Sequence, residues 1–262
     1  MSTNQELPSV TVYIGVLVAQ VTYCASVWAH RVGTAIVRMH LMAVQRSILL
    51  LMGRYSRTTS TGALQVLTGC LPLDMEVVRA AVRYGLRRGI EVRVPMLRAL
   101  RLSVADMTED YRLWFRERMY GEVEEELNRE WRNRWRASTK GRTTFSFVPD
   151  AAGGRRLVST EMPYAVARLV TGHGMLRAKM FEMGLATDPY CACGDPETAE
   201  HIIMECDLYD DLRCIMWRRV GFPFCLAGDV FPLLLENASA CVAFREFAQA
   251  AFERRMTSVV GR

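Results

Sequence analysis

The sequence predicts a mainly α-helical fold with a small metal-binding module, and three observations support this prediction. Apolar residues recur at intervals of three and four over most of the chain, which is the period of a buried helix face. Glycine and proline interrupt these stretches at points typical of helix ends. Three cysteines and one histidine lie between residues 191 and 206, close enough to be ligands of one tetrahedral metal ion. We therefore expect a basic helical region, a long amphipathic helix and a Cys-Cys-His-Cys module with flanking helices.

The composition is that of a globular protein with a sizeable core. The chain has 262 residues, half of them hydrophobic, which is enough for one large domain or two small ones. Its eight cysteines do not predict a disulfide framework, because the chain is long and does not open with a basic leader and a cleavage site. We expect reduced thiols and an intracellular location, in the nucleus and cytoplasm.

Positive charge is concentrated in the N-terminal part of the chain. Residues 1–105 contain twelve arginines, no lysine and four acidic residues, a net charge of +8. Arg79, Arg83 and Arg87 recur every four residues and would form one stripe along a helix. Such a stripe predicts contact with the phosphates of a nucleic acid. The alternatives are a solvated helix face and pairing with the acidic residues of a helix at 106–130.

Residues 10–29 imitate a membrane span, since they are mostly apolar and contain no charged residue. Gln20 and the flanking Pro8 instead favour a buried helix. We therefore expect no contact with a membrane.

Two further helices are predicted at 39–51, ending before Gly53, and at 73–86, after Pro72. Between them, residues 54–62 form a connector rich in serine and threonine, with two arginines. This connector is either a phosphate-binding segment or an ordinary loop, and the sequence favours neither interpretation.

A long amphipathic helix is predicted after a cap at Ser103. Apolar residues recur at every fourth position of this helix and form a stripe. Because a spacing of four exceeds the helical period, the stripe would wind around a straight helix, so a bend is expected at Gly121. The other faces are charged, which favours a bracing role. The stripe has an apolar residue at every fourth position: Met107, Tyr111, Phe115, Met119, Val123, Leu127, Trp131 and Trp135.

A Lys-Gly-Arg arm comes after this helix, and we predict that Lys140 and Arg142 contact nucleic acid. Phe145 and Phe147 alternate as in a short strand or an extended arm. The glycine pair at 153–154 marks the most linker-like point of the chain. The predicted regions are 1–102 (basic helices), 103–152 (long helix and arm), 153–235 (metal module) and 236–262 (last amphipathic helix).

Two short helices are predicted at 163–170 and 175–183, joined by a turn at 171–174. His173 lies between two glycines in this turn. Such a histidine either takes part in function at a close-approach turn or caps and packs the turn, and the second role is commoner.

Cys191, Cys193, His201 and Cys206 form a Cys-x-Cys-x7-His-x4-Cys array. Thiolate and imidazole ligands at this spacing predict a structural Zn²⁺ closed by four protein ligands. His201 and Cys206 are five positions apart, about 140° around a regular helix, so the helix must bend or end near Cys206. The ordinary alternative is a set of buried cysteines beside a surface histidine. A catalytic zinc is disfavoured, because four protein ligands leave no open position.

The residues around the array carry signals for helix ends. Asp195 is expected to cap the helix that carries His201, with Pro196 and Glu197 in its first turn. The next helix has a cap, two acidic residues in the first turn, two arginines in the last turn and a stop: Asp207, Asp210, Asp211, Arg218, Arg219, Gly221 and Pro223.

The order of these motifs resembles the C-terminal part of the pol polyprotein of non-LTR (LINE-type) retrotransposons, in particular the type-1 elements that insert into arthropod ribosomal DNA. The resemblance runs over most of residues 10–220, and its last two motifs are the most specific. The motifs are Tyr23-x4-Trp28, Gln45-Arg46 with the apolar run to Leu51, Ala63-Leu64-Gln65-Val66-Leu67-Thr68-Gly69 with Pro72-Leu73, Trp131-x3-Trp135 with Lys140-Gly141-Arg142-Thr143, Leu169-Val170-Thr171-Gly172-His173-Gly174, and the Cys-His array.

The resemblance implies a polyprotein with an endonuclease, a central reverse transcriptase and a C-terminal Cys-His region. This chain is expected to hold a thumb-like region and the regions C-terminal to it, without the polymerase palm. The aromatic-x-Asp-Asp box of the family is missing, since Leu208 stands at its aromatic position and Asp210 and Asp211 are typical of a helix start. We therefore expect no catalytic residue, no polymerase or nuclease activity, and a need for Mg²⁺ only in the missing polymerase region.

The implied role is binding of template RNA and target DNA during target-primed reverse transcription, with the rest of the pol polyprotein as a partner. The residues expected to contact nucleic acid are Arg79, Arg83, Arg87, Lys140 and Arg142. A free-standing zinc-dependent domain that binds nucleic acid or protein is the alternative.

Overall fold

The computed structural model describes residues 11–53, 55–90, 92, 94, 109–152, 162–174, 176–221, 231–236 and 238–260. These residues contain no β-strand and only one isolated bridge, between Tyr190 and Pro196, so the predicted mainly α-helical fold is confirmed. The helices are α1 Ala19–Val21, α2 Ala25–Trp28, α3 Ala35–Leu51, α4 Thr61–Thr68, α5 Leu73–Arg88, α6 Glu109–Ala137, α7 Arg142–Phe147, α8 Tyr164–Thr171, α9 Arg177–Glu182, α10 Asp210–Val220, α11 Leu233–Glu236 and α12 Ala238–Val260. Wider π turns lie at Tyr13–Val18 and His201–Glu205, and tighter 3₁₀ turns at Ala29–Gly33 and Asp207–Tyr209.

The chain divides into two compact units, and each is made of segments that are not adjacent in sequence. The first unit is drawn from Met1–Met52, Gln65–Ala137 and Asp150–Ser159. The second unit is drawn from Gly53–Leu64, Ser138–Pro149 and Thr160–Arg262. The four regions expected from the sequence stay a prediction, and the glycine pair at 153–154 lies outside the described residues.

Residues 10–29 do not form the single buried helix that the sequence predicted. The π turn at Tyr13–Val18 leads into α1, and Cys24 then interrupts the helix with a left-handed backbone, φ 51°. The Thr22 hydroxyl donates to the Val18 carbonyl at 2.7 Å, a side-chain bond that competes with the helical ladder.

Helix length and apolarity decide whether a segment can cross a bilayer. In the part of the chain that the structure describes, no single helix is long and apolar enough. One bent pair, Ala25–Gly33 with Ala35–Leu51, reaches the required length and composition only when its two helices, 110° apart, are taken together.

A fully buried glutamine, Gln45 on α3, organises the first unit. Its amide NH₂ donates to the Tyr13 hydroxyl at 2.7 Å and to the Leu71 carbonyl at 2.8 Å. Its amide oxygen accepts from the Gln65 side chain at 2.7 Å and from the Leu73 backbone N–H at 3.2 Å. All four hydrogen-bonding positions of the amide are therefore used, which removes the penalty for burying it. We call these five residues the Gln45 network.

The helices predicted at 39–51 and 73–86 are confirmed as α3 and α5. Gly89 ends α5 in the left-handed conformation, φ 67°, which glycine adopts without strain. The long helix α6 packs against α5 and runs unbroken through Gly121. The expected cap, Ser103, lies outside the described residues. The apolar stripe of α6 is buried at Met119, Val123, Leu127, Trp131 and Trp135.

Residues 142–147 form the short helix α7, so the prediction of a strand or extended arm is wrong. Gly141 adopts a left-handed backbone, φ 75°, and turns the chain into the helix. Phe147 is buried, with its ring centroid 4.7 Å from Phe231 and 5.8 Å from Phe244. The Arg142 guanidinium lies over the Phe145 ring, 3.8 Å from the ring centroid. Two phenylalanines spaced by two share one face of a strand but lie on opposite faces of a helix, and two residues alone did not distinguish these cases.

The remaining helices of the second unit agree with the sequence. The helices predicted at 163–170, 175–183 and 236–262 are confirmed as α8, α9 and α12. Aromatic contacts join α8 to α12, since the rings of Tyr164 and Phe252 meet edge-on at 5.8 Å. α10 packs along α12 as well, which makes the last helix the centre of this unit.

Candidate metal centre

The first two potential ligands lie in a tight loop after Pro189. The Cys191 backbone N–H donates to the Asp195 carbonyl at 2.6 Å, and the Gly194 N–H donates to the Cys191 carbonyl at 3.0 Å. Gly194 has φ 107°, a backbone conformation that an L side chain rarely adopts. The loop therefore closes on itself and holds the thiols of Cys191 and Cys193 together.

The other two ligands lie at the ends of the π turn His201–Glu205. The Cys206 backbone N–H donates to the His201 carbonyl at 2.8 Å, a bond that spans five residues. A turn closed by such a bond brings its first and last residues to nearly the same side, whereas a regular helix would separate them by about 140°. The helix ends at Glu205 and Cys206 is extended, as the sequence predicted.

The start of this turn differs from the prediction. The Thr198 hydroxyl accepts from the His201 backbone N–H at 3.0 Å, so Thr198 caps the turn in place of Asp195. Pro196 lies in the bridge to Tyr190 and does not belong to a first helical turn. Glu197 is buried in an ion pair, so it does not serve as a solvated charge near a helix start.

The ligand atoms of the four residues all lie within 4.8 Å of one another. The Sγ atom of Cys206 is 3.7 Å from the Sγ atoms of Cys191 and Cys193. Tetrahedral zinc with Zn–S bonds of about 2.3 Å places two sulfurs about 3.8 Å apart, so these separations fit. Cys193 Sγ lies 3.1 Å from His201 Nε2. The cluster could therefore hold one metal ion through three sulfurs and Nε2, with Cys193 the most accessible ligand.

The electrostatics of the cluster favour a bound cation. Burial, together with the neighbouring thiols of Cys191 and Cys193, raises the pKa of the Cys206 thiol to about 12. Burial likewise raises the pKa of Cys191. Crowded thiols resist ionisation because each thiolate would lie beside another and away from water. A metal cation removes this conflict and stabilises all the thiolates at once.

Two carboxylates brace the cluster from outside. Glu205 has a carboxylate oxygen 3.6 Å from His201 Nδ1, the ring nitrogen that faces away from the sulfurs. A carboxylate in this position favours the tautomer in which Nε2 is free to bind a metal.

Glu197 forms the second brace and ties the loop to two helices. Both oxygens accept from Arg255 of α12, at 2.6 and 2.8 Å, and both side chains are buried. One of these oxygens also accepts from the Arg177 backbone N–H, at 2.7 Å, where α9 begins. The Glu197 backbone N–H donates to the Pro189 carbonyl at 2.8 Å. Sequence reasoning missed this pair, because 58 residues separate its members and neither stands out locally.

The residues after the array start a helix, as predicted. Asp207–Tyr209 is a 3₁₀ turn, and Asp210 and Asp211 lie in the first turn of α10, which ends at Gly221. Asp211 is exposed and paired with Arg254 at 2.6 Å, and its hydrogen bond to this guanidinium lowers its pKa to about 2. Pro223 lies outside the described residues.

The predicted arginine stripe lies on α5, facing α6 in part. Arg79 pairs with Glu76 and Glu124, each at 3.0 Å. Arg83 pairs with Glu124 at 3.1 Å, and Arg87 is exposed. Pairing with the acidic residues of the long helix, the alternative weighed from the sequence, is thus seen for two of the three arginines. Their contact with nucleic acid stays a prediction.

The arm residues Lys140 and Arg142 are both exposed, at the start of α7. The Arg142 guanidinium donates to the Ser138 carbonyl at 3.3 Å and covers the Phe145 ring. His173 lies in the turn after α8, where its Nδ1 is 2.9 Å from the Thr58 hydroxyl. His173 thus packs in its turn and also contacts the Ser/Thr-rich connector, which the sequence did not reveal.

Proteins similar to this chain come from type-1 retrotransposable elements. The chain is 32% identical over 244 residues to the Retrovirus-related Pol polyprotein from type-1 retrotransposable element R1 2 of Nasonia vitripennis, covering 92% of this chain and 57% of that protein. It is 30% identical over 257 residues to the corresponding R1 3 protein of the same species, covering 92% and 62%. It is 32% identical over 203 residues to that of element R1 of Bradysia coprophila, covering 77% and 19%.

The matches cover most of this chain but only part of each relative, since the chain spans 19% to 62% of their lengths. No family model and no solved structure matches the chain. These relatives confirm the resemblance that was inferred from the order of the motifs. The chain therefore matches a part of the Pol polyproteins of type-1 R1 retrotransposable elements.

Proposed function

We propose that this chain is a nucleic-acid-binding part of a retrotransposon Pol polyprotein, stabilised by one structural Zn²⁺. In this role it holds template RNA, target DNA or both during target-primed reverse transcription in the nucleus and cytoplasm. The rest of the polyprotein, which supplies the RNA-directed DNA polymerase and endonuclease, is its partner. The observation that carries the proposal is the closed four-ligand cluster in a chain whose relatives are R1 Pol polyproteins.

The donor set supports zinc as the metal. Three thiolates and one imidazole are soft to borderline ligands, which zinc accepts in a tetrahedron and which Mg²⁺ and Ca²⁺ disfavour. Cys191, Cys193, His201 and Cys206 would occupy all four positions, so the metal would organise the loop and the π turn and would not bind a substrate.

The chain itself is proposed to lack polymerase and nuclease activity. Phosphoryl transfer by polymerases uses two metal ions held by clustered carboxylates. The one Asp-Asp pair that resembles the family box is engaged elsewhere, with Asp210 bonded to Arg213 and Asp211 to Arg254.

The proposal is tested on the purified full chain. Elemental analysis should give one zinc per chain, and a fluorescently labelled RNA should bind with an affinity that falls as salt rises, because binding releases counterions. Primer extension with Mg²⁺ should give no more product than a heat-inactivated sample. A chain without zinc, or one that binds neither RNA nor DNA at low salt, would refute the proposal.

A further inference from the structure

Three segments that are distant in sequence meet in the second unit around His173. Its Nδ1 atom lies 2.9 Å from the hydroxyl of Thr58 in the connector. The preceding Gly172, φ 65°, lies so close to the arm that a Cβ atom there would be 2.6 Å from Thr143 Oγ1. Only glycine allows this approach. We call residues 53–64, 138–149 and 162–174 together the His173 surface.

The His173 surface is basic by composition. Its three segments contain no aspartate or glutamate. Among the described residues they carry four basic residues: Arg57, Lys140, Arg142 and Arg168. Segments that contribute several cations and no carboxylate favour an anion as the ligand.

Two of these cations differ from the arginine stripe of α5 in their surroundings. Neither Lys140 nor Arg168 forms an ion pair with any residue that the structure describes. Arg79 and Arg83, in contrast, share the carboxylate of Glu124. An ion-paired arginine must give up its partner to bind a phosphate, whereas Lys140 and Arg168 have no carboxylate partner among the described residues to give up.

Arg168 is held in place before any ligand arrives. Its guanidinium lies 4.3 Å from the centre of the Tyr164 ring. Its side chain also crosses Gly174, where a Cβ atom would be 2.4 Å from Arg168 Cδ. Its Nε is buried and has no hydrogen-bond acceptor among the described residues. A fixed guanidinium loses less entropy on binding a phosphate than a mobile one does.

Hydroxyl groups complete the chemistry of the surface. The Thr58 hydroxyl lies between Ser56 Oγ, at 2.9 Å, and His173 Nδ1. Hydroxyl and guanidinium donors are the side chains that contact sugar and phosphate in nucleic-acid complexes. The half-exposed Tyr164 ring beside Arg168 adds a flat apolar face on which a base could stack.

We propose that the His173 surface binds the phosphodiester backbone of a nucleic acid. Lys140 and Arg168 contact the phosphates, and the Thr58–His173 hydrogen bond positions the connector beside them. This inference rests on the proposed function and identifies the surface that performs it. It assigns the connector and the 171–174 turn to one site. Arg79 and Arg83 of the stripe on α5 are instead engaged with carboxylates.

The test compares two variants with the same loss of charge. Lys140→Gln/Arg168→Gln alters the His173 surface, and Arg79→Gln/Arg83→Gln alters the ion-paired arginines of the stripe. Fluorescence anisotropy over a salt series is measured with a labelled single-stranded RNA, the same sequence as single-stranded DNA, and a DNA duplex. We expect the first variant to bind at least about tenfold more weakly. Its plot of log K against log salt should also be less steep by about 1.5, which corresponds to two lost phosphate contacts. We expect the second to match the wild type within about twofold.

The outcomes separate this inference from the proposed function. If the stripe variant loses affinity and slope while the His173-surface variant does not, the inference is wrong although the chain still binds nucleic acid. If the wild type binds none of the three probes, both fail. Stronger competition by polyglutamate than by unlabelled RNA would show a site for acidic peptides and would also overturn the inference.

A second variant protects the test against misfolding, because Arg168 packs against Tyr164. Thr58→Val/Lys140→Gln changes only two exposed side chains. It should weaken binding at least about fivefold and leave zinc content and thermal unfolding unchanged. Unchanged binding by this variant and by Lys140→Gln/Arg168→Gln would overturn the proposal.

Discussion

The Gln45 network of the first unit and the thiol cluster of the second unit both bury polar side chains from several segments. They differ in whether the chain itself supplies the partners of these side chains. In the network, the Gln45 amide donates two hydrogen bonds and accepts two, all within the chain. In the cluster, the sulfurs face one another and burial raises the pKa of Cys206 to about 12, so the chain alone does not satisfy them. The Gln45 amide is satisfied by the chain itself, whereas the cluster could be completed by a bound metal ion.

Removing the metal is the largest test of this difference. Structural zinc sites of small modules contribute about 10–16 kcal/mol of apparent binding energy, most of it coupled to folding. We expect a chelator, or Cys206→Ser, to abolish zinc binding and to speed amide exchange through residues 191–206. Amides at the Gln45 network should keep their protection, since no member of it is a ligand.

The matched control for that experiment is Cys214→Ser, a half-buried cysteine on α10 outside the cluster. It should retain one zinc per chain, as measured by elemental analysis. Loss of zinc from this variant, or its retention by Cys206→Ser, would contradict the assigned ligand set.

Breaking the brace between Glu197 and Arg255 should have the next largest effect. Arg255→Met leaves a buried carboxylate without its partner, which costs about 3–5 kcal/mol of unfolding free energy. Urea unfolding of the zinc-bound protein measures it. The double variant Glu197→Gln/Arg255→Met should lose less than Arg255→Met alone, because no charge stays buried. Equal losses in both would show that packing, not charge, governs this contact.

A substitution at Gln45 tests the contribution of the Gln45 network to stability. Gln45→Leu leaves the Leu71 carbonyl and the Leu73 N–H buried without partners, and we expect a loss of about 3 kcal/mol. Zinc content should not change. The control is Gln20→Leu, since Gln20 is exposed in the same unit and its replacement should shift the urea midpoint little.

The smallest expected effect concerns acid. The hydrogen bond from Arg254 lowers the pKa of Asp211 to about 2, below its value of about 3.9 in an unfolded chain. The pair therefore stabilises the folded chain fully above about pH 4, and this contribution disappears as the pH falls to about 2. Asp211→Asn should flatten the stability curve only in that interval. A difference between variant and wild type that grew above pH 4 would rule out this cause.

Much of the fold could be predicted from the sequence because local patterns encode it. The helical period located α3, α5, α6 and α12 within a few residues. The position of Cys206 beyond the helix could be deduced from geometry, since five residues on a regular helix do not bring two ligands together.

The features that the sequence did not reveal depend on long-range contacts or on equivalent local choices. The partners of Gln45 and Glu197 lie 20 to 58 residues away, and no periodic pattern identifies them. Asp195 and Thr198 are both good caps, and the bridge at Pro196 decides between them. Phe145 and Phe147 fit either a strand or a helix, and the aromatic contacts of Phe147 decide that choice.

The discontinuous path of the second unit also sets an order in time during synthesis. The ligands from Cys191 to Cys206 span 15 residues, so at about 5–20 residues per second they leave the ribosome within roughly 1–3 s of one another. Thr58 precedes its partner His173 by 115 residues and must wait roughly 6–23 s for it. Capture of a metal ion by the cluster would thus need only residues made close together in time. The surface around His173, although His173 is made before the ligands, can assemble only after the connector has spent many seconds exposed on the nascent chain.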